Sequence, residues 1–214
     1  MTAPLKFVLK GTTLWLSPER SIYWEAQKAL IISDLHFGKT GHFRKSGIGV
    51  PQTIFKKDLQ RLFHLIQFFK PGQLLVIGDM FHSHENKELE LFKRWRKDIS
   101  QIAVKLIKGN HDVLDESWYQ SAQIELFNKT LQIGNFIFTH EPQENSDGYV
   151  FSGHIHPGVR ISGLGKQSLR FPCFYFSTNQ AILPAFSEFT GFVSLLPAKG
   201  DKIFAIVNNS IVAV

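Results

Sequence analysis

Apolar runs that stand directly before polar residues constrain the fold of this chain more than any other feature. Residues 29–32 and 74–77 are apolar at every position, which is typical of β-strands buried on both faces. Residues 102–107 form a third predicted strand. Predicted helices separate these runs, and strands that alternate with helices indicate parallel βαβ units.

Both predicted helices show the apolar spacing of an amphipathic helix. Pro51 opens the first, and its apolar residues between 55 and 69 step by four and three. The second has its inward-facing apolar residues between 89 and 99. From Ile124 onward short strands follow one another, beginning with one predicted over residues 133–139.

The sequence therefore predicts an α/β fold of the α+β sandwich type. We expect two mixed β-sheets that pack face to face and are flanked by helices, in a single domain over residues 1–214. An apolar content of 43%, with 20 phenylalanines, is sufficient for a sizeable core.

Charge and cysteine content narrow the class of protein. The net charge of +6 and the pI of about 9.4 favour phosphate-bearing partners without identifying one. The lone Cys173 excludes an internal disulfide and fits a reducing compartment. No basic-then-apolar leader and no apolar run long enough to cross a membrane is present. We therefore expect a cytoplasmic protein without a membrane partner.

Polar residues of a restricted kind follow the predicted strands. In a sheet of this type the strand ends meet at one crevice, so these side chains are expected to converge. Each is weak evidence alone, because a histidine after a strand is more often exposed or hydrogen-bonded than a ligand. Together, in order along the chain, they are Asp34, His36, Asp79, Asn110, His111, His140, His154 and His156.

The residue types at these strand ends are those of a metal centre. Carboxylates, imidazoles and an amide oxygen suit Mn²⁺, Fe²⁺ or Zn²⁺. The spacing of Asp34 and His36, and of His154 and His156, would place each pair on one side of an extended strand. Glycines directly before Asp79, Asn110 and His154 permit close approach of the backbone.

This order of motifs resembles the calcineurin-like metallophosphoesterase family. The resemblance implies the fold of that family and a centre with two divalent ions, with Mn²⁺ expected first and Fe²⁺ or Zn²⁺ as alternatives. It also implies that His111 is the acid near the leaving group. One ion would be held by Asp34, His36 and His156, the other by Asn110, His140 and His154, and Asp79 would bridge both.

A more specific resemblance lies in residues 33–39 together with Phe43, Arg44, Gly47 and Pro51. These positions are similar to the bacterial DNA-ligase-associated metallophosphoesterases, a PdeM-like group. The resemblance implies nucleic-acid processing in DNA repair, beside a DNA ligase and a helicase.

One position departs from the protein phosphatases of the family, which usually carry an aspartate three residues after the bridging one. Here that position is His82, which resembles the nuclease branch, where a second histidine faces the catalytic one. An exposed turn residue is the alternative interpretation. Asp112 also has two interpretations, as a residue that orients a histidine or as a local cap.

The expected reaction is the hydrolysis of a phosphodiester bond. Two cations would lower the pKa of a bridging water, the resulting hydroxide would attack phosphorus, and His111 would protonate the leaving oxygen. Lys39 and Arg44 would bind substrate phosphates, unless they belong to a solvated basic loop. A nuclease is the first hypothesis.

Two other functions are compatible with the same residues. One is a phosphatase or a small-molecule phosphodiesterase, for example one acting on a cyclic nucleotide. The other is a non-catalytic interaction module, which the complete set of ligands and the presence of His111 disfavour.

Overall fold

Two β-sheets packed against each other form the centre of the protein, and helices cover the outer face of one of them. This architecture, seen in a computed structural model, confirms the predicted fold class. The structure describes residues 2–39, 53–82, 86–143, 147–163 and 167–214. Arg44 and the helix start at Pro51 lie outside these ranges.

The first sheet has seven strands that are neighbours in chain order. Its first four strands are antiparallel, and the pairs from the fourth strand to the seventh are parallel, as the βαβ pattern predicted. The strands are β1 (Leu5–Leu9), β2 (Thr12–Ser17), β3 (Ser21–Trp24), β4 (Ala29–Ile32), β5 (Gln73–Ile77), β6 (Ala103–Ile107) and β7 (Ile124–Phe127).

The second sheet is mixed and is built from the remaining strands. These are β8 (Thr130–Ile133), β9 (Phe136–Thr139), β10 (Tyr149–Ser152), β11 (Pro157–Ser162), β12 (Ser168–Phe176), β13 (Gln180–Ile182), β14 (Val193–Ser194), β15 (Lys202–Val207) and β16 (Ser210–Ala213). Their spatial order is β14-β11-β12-β13-β10-β9-β8, and β15 pairs with both β12 and β16. Strand β10 runs parallel to β9 and β13 at the centre of this sheet.

Three α-helices occur in the described part of the chain: α1 (Thr53–Phe69), α2 (Lys87–Asp98) and α3 (Glu116–Ser121). Helix α1 buries its apolar stripe, which includes Phe55 and Leu62. Asn86 caps the N-terminus of helix α2, because its side chain accepts hydrogen bonds from two backbone N–H groups of the first turn. None of the described helices is long and apolar enough to cross a bilayer.

The apolar runs are explained by two cores on opposite faces of the first sheet. In β4, Leu30 and Ile32 face the core beneath the helices, whereas Ala29 and Ile31 face the core between the sheets. Strand β5 alternates in the same way. Because both faces are covered, every position of β4 and residues 74–77 of β5 are buried, and the polar residues that follow are held at one edge of the sheet.

One expectation from the second half of the sequence was wrong, and one strand there was not predicted. Residues 133–139 are not one strand but the inner part of a hairpin, in which Gly134 turns the chain between β8 and β9 with a φ of 59°. The short strands expected after Ile124 also did not include β7, which completes the parallel part of the first sheet.

Candidate metal centre

The strand ends bring the predicted ligands together. Asp34 and His36 follow β4, Asp79 follows β5, and the later ligands follow β6, β9 and β10. Two groups of three could each hold a cation, because their ligand atoms lie within 4.8 Å of one another. The first group is Asp34, His36 and His156, and the second is Asp34, Asp79 and His140.

The remaining two predicted ligands adjoin the second group through His140. Its Nε2 atom lies 3.1 Å from Oδ1 of Asn110 and 3.1 Å from Nδ1 of His154. The structure thus assembles all seven predicted ligand side chains in one place. Their assignment to individual ions remains a prediction.

The backbone at five of the seven predicted ligands has a left-handed rather than an extended conformation. Positive φ angles occur at Asp34 (55°), His36 (49°), Asp79 (48°), His154 (65°) and His156 (51°). The argument from the alternation of an extended strand was therefore wrong, although the side chains do converge. Non-glycine residues in this region cost about 1–3 kcal/mol each and are concentrated at functional sites.

Backbone hydrogen bonds between neighbouring loops hold this conformation. The N–H of Asp34 donates to the carbonyl of Gly78 at 3.1 Å, and the N–H of His36 donates to the carbonyl of Asp79 at 2.9 Å. The loops after β4 and β5 are therefore joined where the two carboxylates are presented.

Close packing explains why glycine precedes several ligands. A Cβ atom at Gly78 would overlap the His140 ring, and one at Gly153 would overlap the Ser33 hydroxyl and the Asp34 carboxylate. The sequence predicted this close approach, and the structure confirms it at both positions.

Hydrogen bonds fix the orientation of both carboxylates. Asp34 accepts the backbone N–H of His154 at 3.2 Å and a short hydrogen bond from the Ser33 hydroxyl. Asp79 accepts the backbone N–H of His111 through Oδ1 at 2.9 Å. Its other oxygen, Oδ2, lies 3.5 Å from Nε2 of His140 and 3.9 Å from Nε2 of His36.

The charge pattern of this cluster suits divalent cations. Burial lowers the pKa of His36 to about 2, so its imidazole is neutral, and neither ring nitrogen has a hydrogen-bond partner among the described residues. Burial also lowers the pKa of His140, but the hydrogen bond and charge of Asp79 outweigh this effect and raise it to about 9. The cluster therefore combines the buried carboxylates of Asp34 and Asp79 with a neutral imidazole, that of His36, which has no hydrogen bond within the described part of the chain. These groups fit a metal site.

A group of three histidine rings lies beside the first group of ligands. The ring of His82 stacks on that of His111, with 4.2 Å between centroids and 30° between planes. The ring of His36 lies 5.4 Å from His82 and 5.5 Å from His111. His82 is partly buried in this group rather than exposed on a turn.

The Asp112 carboxylate binds backbone N–H groups of its own loop and of a second loop. Its carboxylate accepts the backbone N–H groups of Phe81 at 2.9 Å, Met80 at 3.3 Å and Gly109 at 3.0 Å. It is 1% exposed, and burial raises its pKa to about 7. Asp112 therefore joins the loop that carries Asp79 to the loop that carries Asn110 and His111.

Replacement of Asp112 by alanine is expected to destabilise the protein by about 3 kcal/mol or more. The substitution leaves buried N–H groups without an acceptor, and each such group costs about 1–3 kcal/mol. Urea denaturation followed by circular dichroism measures the loss. Asp115→Ala, which removes an exposed helix cap, is the comparison and should destabilise the protein much less. Equal losses in the two variants would contradict this role of Asp112.

Lys39 lies at the edge of the cluster. Burial lowers the pKa of its ammonium group, whereas the charges of Asp79 and Asp34 raise it. Its Nζ atom lies 6.0 Å from the centre of the Phe189 ring. The structure thus places Lys39 near the two carboxylates.

A segment between β13 and β14 contacts the backbone of the centre, and nothing in the sequence predicted these contacts. The N–H of Phe186 donates to the carbonyl of Ser33 at 2.7 Å, and that of Ser187 donates to the carbonyl of Asp34 at 3.2 Å. The guanidinium of Arg20 donates to the carbonyls of Ala185 at 3.2 Å and Ser187 at 2.8 Å. We call residues 185–187 the brace of the centre.

Comparison with known proteins agrees with the fold. The Metallophos family model, described as calcineurin-like phosphoesterase, matches residues 28–188. The solved nuclease MPE of Pseudomonas putida is 29% identical with a TM-score of 0.86, covering 99% of this chain and 100% of that chain. The phosphoesterase Yfce of E. coli is 14% identical with a TM-score of 0.45, covering 87% and 97% respectively. No curated protein sequence matched.

Proposed function

Because this chain belongs to the calcineurin-like phosphoesterase family and is a hydrolase of phosphate esters, we propose that it is a nuclease that cleaves phosphodiester bonds. The observation that carries the proposal is the likeness to a nuclease along the whole chain, at 29% identity and a TM-score of 0.86. The net charge of +6 also favours a polyanionic substrate.

The residues of the centre have separate tasks in this proposal. Asp34, His36 and His156 would hold one ion, Asn110, His140 and His154 would hold the other, and Asp79 would serve both. We propose Mn²⁺ as the ion, with Fe²⁺ and Zn²⁺ as alternatives, since the ligand set has carboxylate, imidazole and amide donors. When bound, two such ions polarise a phosphoryl oxygen and lower the pKa of water.

His111 is the proposed acid, and its position supports this role. Its backbone N–H is fixed to Asp79, so the side chain leaves the chain directly beside the bridging carboxylate. The stacked His82 ring limits the orientations available to the His111 ring and thereby positions it. In the reaction His111 gives its proton to the oxygen that leaves phosphorus, so that the leaving group departs as an alcohol.

The proposed biological setting is DNA repair. Residues 33–39 resemble those of the DNA-ligase-associated metallophosphoesterases, and this likeness favours a functional association with a DNA ligase and a helicase. Lys39 lies near the carboxylates, where it can bind a substrate phosphate, and Arg44 keeps the same proposed role from its position in the sequence.

The protein is expected to cleave linear DNA in the presence of Mn²⁺ and to lose this activity with a chelator. Hydrolysis of bis-nitrophenyl phosphate should exceed that of nitrophenyl phosphate, because a nuclease acts on diesters. The assay compares both esters with single-stranded and duplex oligonucleotides at equal enzyme concentration. A clear preference for the monoester, with no cleavage of nucleic acid, would contradict the proposal and favour a phosphatase.

A further inference from the structure

A polar cavity of about 390 Å³ lies directly against the proposed centre. Two of its walls are proposed ligands, Asn110 and His140, so a molecule in the cavity lies next to the site of hydrolysis. None of the cavity's other residues belongs to the proposed centre. Those with polar or charged side chains include Lys108, Asn128, Lys129 and Glu141.

Three segments that are fixed to one another build this cavity. The N–H of Lys108 donates to the carbonyl of Phe127 at 2.8 Å, which joins the ends of β6 and β7. Asn128 and Lys129 form the connection from β7 to β8. Thr130, the next residue, pairs with Thr139, and His140 follows Thr139 directly. Both lysines are therefore attached to the same framework as the ligands.

The charge of the cavity favours an anion. Two lysines face one carboxylate, that of Glu141, and neither lysine has an ion-pair partner among the described residues. Lysine ammonium groups and asparagine amides are common donors to phosphate oxygens, and such contacts fix the register of a nucleic acid on a protein. A small phosphate ester at the centre would leave these groups unused, whereas a strand would bring a second phosphate to them.

We infer that this cavity binds the nucleotide next to the scissile bond of a nucleic-acid strand, with Lys108 and Lys129 holding its phosphate. The inference rests on the proposed nuclease function and deepens it, because it assigns the side of the centre along which the strand runs. Asn128 contributes an amide and Glu141 a carboxylate to the same cavity.

The test is the binding of a fluorescein-labelled single-stranded oligonucleotide to the full chain without added metal. For the variant Lys108→Ala/Lys129→Ala, the Kd at low salt should rise about tenfold or more. The slope of log Kd against log salt should fall by about 0.7, since the two lysines hold one phosphate and each neutralised phosphate on a single strand contributes about 0.7. The control is Lys6→Ala/Lys57→Ala, which removes two exposed lysines of β1 and α1 and gives the same change in net charge.

Kinetics provide a second readout. The ratio of kcat/KM for the oligonucleotide to that for bis-nitrophenyl phosphate should fall in the cavity variant, mainly through KM, and should stay constant in the control. Thermal melting checks the folding of both variants, and we expect both to melt close to the unchanged protein.

The outcomes separate the inference from the proposed function. A wild-type protein that cleaves nucleic acid, with equal binding and equal kinetic ratios in both double variants, would overturn the cavity assignment and leave the nuclease intact. A wild-type protein that hydrolyses small esters but neither binds nor cleaves any oligonucleotide would overturn the nuclease, and the assignment with it.

Discussion

Asp79→Asn is expected to remove most of the bound metal and to lower diester hydrolysis by about a thousandfold or more. Such a loss corresponds to about 4 kcal/mol of transition-state stabilisation, which is within the range that metal ions supply. The Oδ2 atom of Asp79 lies between the rings of His140 and His36, which belong to different groups of ligands. Loss of its charge therefore affects both proposed ions.

The substitution is nearly isosteric, which makes the result specific. The amide oxygen of asparagine can still accept the N–H of His111, so the loop after β6 keeps its position. Metal content by mass spectrometry and hydrolysis of bis-nitrophenyl phosphate are measured together. Asp98→Asn, an exposed carboxylate at the end of α2, is the matched control and should retain both properties. Full metal content and full activity in Asp79→Asn would exclude a bridging role.

His111→Ala should reduce turnover by about a hundredfold or more while leaving metal content near that of the unchanged protein. The imidazole of His111 belongs to neither group of candidate ligands, and a general acid typically contributes a factor of this size. The backbone N–H that binds Asp79 is retained in alanine, so the Asp79 carboxylate keeps its partner.

The control for this histidine is His64→Ala, an exposed position on α1. Activity on a diester with a good leaving group, such as nitrophenolate, should fall less than activity on DNA, because nitrophenolate departs without a proton. If His111→Ala instead lost its metal, the residue would be a ligand and its proposed role as the acid would be wrong.

Local patterns in the sequence were sufficient to predict the buried strands of the first sheet. The apolar runs of β4 and β5 could be recognised because alternate residues of each run enter two different cores. Their carboxyl ends then gave the positions of Asp34 and Asp79. The resemblance to a family, rather than any spacing, supplied the roles of these residues, and those roles stay predictions.

Long-range contacts determine what the sequence could not show. Apolar residues on both sides of Gly134 and Asn135 hid a turn within an apparently continuous strand. Nothing near Asp34 indicates its left-handed backbone, because the hydrogen bonds that hold it come from Gly78 and from the distant brace, residues 185–187. Lys108 stood directly before the Gly-Asn-His motif, and that adjacency was the one signal that could have drawn attention to the cavity.

The brace has a consequence for how much of the chain a working centre requires. Every proposed ligand lies at or before His156, yet the carbonyls of Ser33 and Asp34 receive their hydrogen bonds from Phe186 and Ser187. A fragment that stopped after the last ligand would contain the complete donor set but would lose the hydrogen bonds to the backbone that carries its first carboxylate. A design that moves this centre onto another scaffold would therefore have to include residues 185–187 as well as the ligand motifs.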